Sequence, residues 1–428
     1  MKIKTKQKSL SQVLNLKKLK RKKPKKPSIF FRTLARVLSS ADLKKVNFKY
    51  TGKLDMKNGP YLVLMNHSSF IDLKIAYKIL YPHPFSIVCT HDAMVGKSFL
   101  MHNLGCIPTK KFVADVGLIK DMKYMLKEKN TSVLMYPEAG YSFDGKATTL
   151  PDNFGRLIKI LNVPVAFINA KGAFSRDPLY NGLRLRKVSV SAEVSCLITK
   201  EQVDSLSVEE ISNIILNAFS FDNFRWQQLN RVRIDEEFRA EGLERILYRC
   251  ANCGEEGKMS SSGAKLSCSN CGKSYVLTEY GEIQAENGET EFKHIPDWYE
   301  WQRSCVKEEI LAGNYGFSVP VKISILCDYK ALYDVGEGVL SHSINGFKLT
   351  GCDNQLSYVQ PPLSSYGLNA DYFWYEKGDV ICIGDSERLY YCFTPPNVSV
   401  TKARLATEEL YKLYRSNSLE VKNLIKKL

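Results

Sequence analysis

The sequence predicts an α/β fold: a mainly parallel sheet with flanking helices, then a small cysteine-paired insert and a β-rich C-terminal part. Three patterns carry this expectation. Between residues 60 and 200, short apolar runs alternate with stretches of helical spacing, as buried strands alternate with helices. Two CxxC pairs interrupt the chain between 250 and 271. Beyond about residue 300 the chain turns β-rich, and Asn345-Gly346 signals a hairpin with a type I′ turn. A chain of 428 residues exceeds the ~250–300 at which one core stops growing, so two or three domains are expected.

The first segment is basic. Residues 1–41 contain fourteen Lys or Arg and no Asp or Glu, so of the net charge of +16 the remainder carries only +2. A nearly neutral body argues against a nucleic-acid groove built into the fold. Residues 1–27 lack core residues and read as disordered. Residues 28–41 place Phe30, Leu34, Val37 and Leu38 on one helical face, with Arg32 and Arg36 off it. Such a helix suits an anionic membrane surface, or docks on its own core; both readings stay open. No run reaches the ~18 apolar residues of a membrane span. The chain also has no signal peptide. The expected location is therefore cytoplasmic, peripheral on the inner face of the membrane.

In the α/β part the apolar runs are YLVLM (61–65), FSIVC (85–89), SVLMY (132–136) and VPVAFI (163–168), with helical spacing at 117–130 and 153–162. Residues 183–196 alternate polar and apolar, as an edge or antiparallel strand does. The α/β domain is expected over 42–235, the insert and a flanking helix over 236–280, and the β-rich domain over 300–428.

The chemistry lies just past the first run. There the sequence reads Asn66-His67-Ser68-Ser69-Phe70-Ile71-Asp72. Parallel sheets present reactive groups at the carboxyl ends of their strands. Asp72, in the first turn of the next helix, is positioned to accept the Nδ1 proton of His67. That leaves Nε2 to take a proton from a hydroxyl.

This His-x4-Asp sequence resembles the first block of the glycerolipid (1-acylglycerol-3-phosphate) acyltransferase family. Three further stretches resemble the family's later blocks, in order. They are Gly105-Cys106-Ile107-Pro108-Thr109-Lys110-Lys111, Tyr136-Pro137-Glu138-Ala139-Gly140-Tyr141-Ser142 and Val163-Pro164-Val165. The resemblance covers residues 45–200. It implies His67 as general base, Asp72 as its orienting partner, and direct attack on an acyl thioester without a covalent enzyme intermediate. It also implies Asn66, Lys110, Lys111, Glu138, Gly140 and Tyr141 as substrate-binding positions. The donor would be acyl-CoA or acyl-carrier protein, the acceptor a lysophospholipid or glycolipid. Where the family has Arg in the second and third blocks, this chain has Lys111 and Tyr141. Lys keeps charge but loses the bidentate fork, and Tyr loses the charge, so recognition of a phosphomonoester is expected to be weakened. The alternative function is a non-catalytic lipid-binding adaptor on the same fold.

Cys250-Ala251-Asn252-Cys253 and Cys268-Ser269-Asn270-Cys271 are each followed by Gly. Two such knuckles predict a zinc ribbon whose four thiolates hold a structural Zn²⁺. The C-terminal part, with about six strands and a helix over 401–414, is similar to the pleckstrin-homology or GRAM-like architecture.

Overall fold

The computed structural model describes residues 2–17, 21–113, 115–151, 154–396 and 398–416. Its first elements are β1 (Thr5–Gln7), α1 (Leu10–Leu14) and α2 (Ile29–Lys45). The central part runs β2 (Lys49–Thr51), β3 (Leu62–Met65), α3 (Ile71–Leu80), β4 (Phe85–Thr90), α4 (Ser98–Asn103), β5 (Cys106–Thr109), α5 (Val116–Lys123), β6 (Ser132–Met135), α6 (Phe154–Leu161) and β7 (Val165–Lys171). It continues with α7 (Ala173–Arg176), β8 (Ser191–Ile198), α8 (Lys200–Ser205), α9 (Val208–Ala218), α10 (Asn223–Leu229) and α11 (Leu243–Ile246).

The central sheet has seven strands in the order β2-β8-β7-β3-β6-β4-β5. All neighbours are parallel except β7 and β8. Both faces are covered. Val63 and Met65 join the core with α3, and Leu62 and Leu64 join the one with α6 and α9. Burial on both faces explains why β3 reads as an unbroken apolar run.

Two expectations in this part are refined, and one stretch takes a form the sequence left open. The second block contributes a strand, β5, at a sheet edge, where Pro108 costs no ladder bond on its open side. The alternating run 183–196 becomes a strand only over Ser191–Ile198; it pairs antiparallel with β7, one of the two forms expected, but lies in the sheet interior and not at an edge. Upstream, Arg186 turns inward to Tyr180 Oη, Asn181 Oδ1 and the Arg239 carbonyl, which breaks the alternation. The helix over 117–130 is α up to Lys123 and continues as a π turn over Tyr124–Glu128.

The insert forms a four-stranded antiparallel sheet of β9 (Met259–Ser262), β10 (Lys265–Cys268), β11 (Ser274–Leu277) and β12 (Ile283–Ala285). Helix α12 (Ile295–Leu311) follows, with Trp298 packed edge-on to Tyr275 at 5.0 Å.

The C-terminal part has seven antiparallel strands: β13 (Gly316–Leu326), β14 (Leu332–Ser343), β15 (Gly346–Gly351), β16 (Leu356–Gln360), β17 (Asn369–Trp374), β18 (Gly378–Gly384) and β19 (Leu389–Phe393). Helix α13 (Val400–Ser416) closes it, and the strand order is β16-β15-β14-β13-β19-β18-β17. The Asn345-Gly346 hairpin is present, but in a different turn from the one expected. Ser343 pairs with Gly346, so Ile344 and Asn345 are the central residues. In this turn only Gly346 takes a positive φ, +89°. That is a type I turn followed by a glycine bulge.

The expected disorder of residues 1–27 is contradicted for residues 2–17 and 21–27; residues 18–20 lie outside the described residues. Strand β1 pairs in parallel with Leu332–Asp334 of β14, beyond the reach of β15. Leu10 and Val13 are buried, and Ser9 caps α1 with a capping box. Arg21 is held by Asp115 at 2.9 Å and Asp121 at 2.7 Å. The tail is basic enough to look solvated, but two apolar side chains and a free strand edge fix it. Helix α2 combines both readings given for it. Leu43 is buried and Asp42 pairs with Lys74 of α3 at 2.6 Å, while Phe30, Leu34, Val37 and Leu38 face outward.

Candidate active site

His67 follows β3 at its carboxyl end, and Asp72 lies in the first turn of α3. Asp72 is fully buried, and its Oδ2 accepts from His67 Nδ1 at 3.0 Å, Ser68 N at 2.8 Å and Ser69 N at 3.0 Å. A buried carboxylate is costly unless hydrogen-bonded; here two main-chain donors and the start of α3 hold it in place. The bond to Nδ1 selects the tautomer with its proton there, leaving the Nε2 lone pair outward. Nε2 makes no hydrogen bond among the described residues.

The third block lies beside it. Glu138 is buried, and its two oxygens accept from His67 N at 2.7 Å and Thr148 N at 3.1 Å. Burial pushes its carboxyl up to about 7, against the downward pull of these two donors. The ring of Tyr136 stacks on the imidazole at 4.1 Å, and that of Tyr141 lies 4.5 Å away. Ala139 occupies the left-handed region at φ +54°. A Cβ added at Gly140 would meet no atom within 4 Å.

Asn66 is not free for substrate. Its Nδ2 donates to the Ala170 carbonyl at 2.9 Å and its Oδ1 accepts from Ala170 N at 2.7 Å. It ties the end of β3 to β7 and so aims the loop that carries His67. Ser69 donates to Asp177, a third buried carboxyl, pushed up to about 6 by its burial.

The second block is further out. Lys110 Nζ donates to the Ser386 carbonyl of the C-terminal part, and Phe112 packs edge-on to Tyr366 at 5.3 Å. From α13, Arg404 donates to the Tyr141 carbonyl at 3.4 Å and lies 4.3 Å over the Phe143 ring. The sequence reading missed Arg404, Asp177 and Tyr136. The first comes from a helix more than 250 residues away along the chain, and no local pattern marks it.

The four knuckle cysteines converge. Their sulfurs lie within 4.8 Å of one another, with Cys250–Cys271 and Cys253–Cys268 at 3.8 Å. Tetrahedral Zn–S bonds of about 2.3 Å require sulfur–sulfur edges near 3.8 Å. Each knuckle turns on a positive-φ glycine, Gly254 or Gly272. Each also sends an asparagine amide to the other's sulfur: Asn252 to Cys271 at 3.4 Å and Asn270 to Cys253 at 3.6 Å. The residues present could hold a metal ion, and four thiolates fit zinc.

Residues 47–168 match the protein-family model described as Acyltransferase. Among solved structures, the chain is similar to the 1-acyl-sn-glycerophosphate (LPA) acyltransferase PlsC from Thermotoga maritima. Identity is 13% over 47% of this chain and 80% of that chain, at a TM-score of 0.37. A comparison with curated proteins gives no match. Residues 47–168 thus match an acyltransferase domain, and this matched segment holds the His67–Asp72 pair.

Proposed function

We propose that the protein moves a fatty acyl group from an acyl thioester, acyl-CoA or acyl-carrier protein, to a hydroxyl of a lysophospholipid or glycerolipid. The observation that carries this reading is the 3.0 Å bond from His67 Nδ1 to the buried Asp72 carboxylate. With Nδ1 engaged, Nε2 takes the proton of the acceptor hydroxyl as its oxygen attacks the thioester carbonyl. The C–S bond then breaks and the thiol leaves with a proton. Asp72 holds the ring in this tautomer and stabilises the imidazolium that forms. Glu138 orders the loop by gripping the His67 amide. With Tyr141 beside the imidazole in place of the family's Arg, the acceptor phosphate lacks its usual bidentate partner.

The same reading assigns a structural Zn²⁺ to Cys250, Cys253, Cys268 and Cys271. It assigns peripheral contact with an anionic membrane to the outward face of α2. The C-terminal strand order, closed by α13, supports a pleckstrin-homology-like module. Among the described residues no helix is long and apolar enough to cross a membrane.

The test is transfer of labelled acyl groups by the purified full chain to lysophospholipids presented in detergent micelles. Acylated product with acyl-CoA or acyl-carrier protein supports the reading. Lipid binding without product from either donor would favour the adaptor instead.

A further inference from the structure

Two residues of α13, one turn apart, hold both ends of the loop that leads out of the third block. Arg404 donates to the Tyr141 carbonyl at 3.4 Å. Glu408 Oε2 accepts from Thr149 Oγ1 at 3.2 Å. Residues at i and i+4 lie on one helix face, so a single face of α13 fixes where the 141–149 loop begins and where it ends. Both ends of that loop meet His67. At the first, the Tyr141 ring lies 4.5 Å from the imidazole. At the second, Thr148 donates its main-chain N–H to Glu138 Oε1 at 3.1 Å and its hydroxyl to the Glu138 carbonyl at 2.9 Å. Glu138 Oε2 in turn accepts the N–H of His67 at 2.7 Å.

The charges on this face are buried, Arg404 at 6% and Glu408 at 4% exposed. Buried charges need partners. Arg404 Nε faces Glu408 Oε1 at 3.4 Å, and its guanidinium lies 4.3 Å over the Phe143 ring. Arg303 of α12 joins Glu408 Oε2 at 2.7 Å and Glu409 Oε1 at 3.2 Å. Holding two domains together requires only apolar contact, and Phe143 supplies that against Tyr372 of β17 at 5.0 Å. The charged groups add direction, because each engages one particular atom of the loop. They also lie far along the chain from the matched segment, residues 47–168.

We propose that Arg404 and Glu408 are positioning residues for acyl transfer. Helix α13 clamps the 141–149 loop at both ends, and the loop holds the imidazole of His67 in line through Tyr141 and Glu138. The C-terminal part then sets the rate of the chemical step and leaves the binding of donor and acceptor alone. This rests on the acyltransferase reading and extends it to a helix outside residues 47–168.

The experiment uses the purified full chain with oleoyl-CoA as donor, or oleoyl-carrier protein if the CoA thioester gives no product. The acceptors are lysophosphatidylglycerol, lysophosphatidic acid and monoacylglycerol. Arg404→Gln should lower kcat by about 10–100-fold, the effect of a displaced reacting group, with KM for donor and acceptor unchanged. Arg404→Lys keeps a cation and a donor and should recover part of that loss. Thr149→Val keeps the side chain's shape and removes the bond to Glu408. It should lower kcat by about threefold to tenfold, the worth of one hydrogen bond, with its melting temperature in place. This variant carries the test if Arg404→Gln does not fold. On top of Glu138→Gln, Thr149→Val should cost less than it does alone, because its route to His67 passes through Glu138. Wild-type kcat in the folded variants, or a higher KM at unchanged kcat, overturns the clamp while transfer itself stands. No transfer by the wild type to any acceptor from either donor overturns the acyltransferase reading and the clamp with it.

Discussion

The main-chain N–H of His67 donates to Glu138 Oε2 at 2.7 Å. Glu138, from the third block, thus holds the backbone of the residue proposed to carry the proton chemistry. The other oxygen, Oε1, accepts from Thr148 N at 3.1 Å, so each carboxylate oxygen has its own main-chain donor.

Glu138→Gln breaks that match, because its amide NH2 must face one of two N–H donors. A loss of about 1–3 kcal/mol in stability is expected by denaturant titration below about pH 4.5. The pH dependence adds a signature. Burial raises the Glu138 carboxyl from its ordinary 4.5 to about 7. Between these values the folded state binds more protons than the unfolded one, so this carboxyl's contribution to stability falls as pH rises. The wild type's advantage over the Gln variant should therefore be largest below about pH 4.5 and smallest above about pH 7. An advantage that grows across this window would contradict the account.

Ala139→Gly should stabilise. Ala139 sits at φ +54°, a conformation that costs a residue with a Cβ about 1–2 kcal/mol. The entropy of a more flexible unfolded chain returns about 0.5–1 kcal/mol of that. A net gain of about 0.5 kcal/mol is expected in thermal or denaturant melts, and a loss would show that the alanine methyl makes contacts that matter.

Much of the site was legible in the sequence because it is local. His67 and Asp72 are five residues apart and joined by one loop, so a strand followed by a helix was enough to bring them together. The knuckle cysteines were legible for the same reason, since each pair is a local turn. The strands β3, β4, β6 and β7 were readable because burial on both faces leaves unbroken apolar runs. What the sequence hid is what distance along the chain makes. The hold of Arg404 on Tyr141 depends on how two domains pack. Asn66 looked like a substrate group because nothing local reveals that it bonds Ala170 on β7. The ordered N-terminal tail was hidden by its lysines, which mask the two residues that anchor it.

One zinc ion per chain is expected by metal analysis of protein purified without chelator. Cys250→Ser should release it and destabilise the 250–285 sheet, read by proteolysis at 254–270. The His67 region should keep its transfer chemistry. Metal-free protein with an unchanged melting curve would refute the assignment.

Membrane contact should depend on α2 more than on tail charge, because Arg21 is already engaged by Asp115 and Asp121. Phe30 and Leu38 are 66% and 63% exposed. Burying one such side chain is worth about 1.5–3 kcal/mol. Phe30→Ser with Leu38→Ser should therefore weaken sedimentation with anionic vesicles by tenfold or more, leaving the melting temperature in place. Equal sedimentation of the variant and the parent would move the membrane contact elsewhere on the protein.

The most direct measurement is the rate of acyl transfer by His67→Ala beside the wild type, with the fold of each checked by its melting curve. Because His67 is aligned by Asp72 at 3.0 Å, losing it as general base should lower kcat by about 10²–10⁴-fold, with both proteins melting alike. Transfer by a folded His67→Ala protein at close to the wild-type rate would contradict the account.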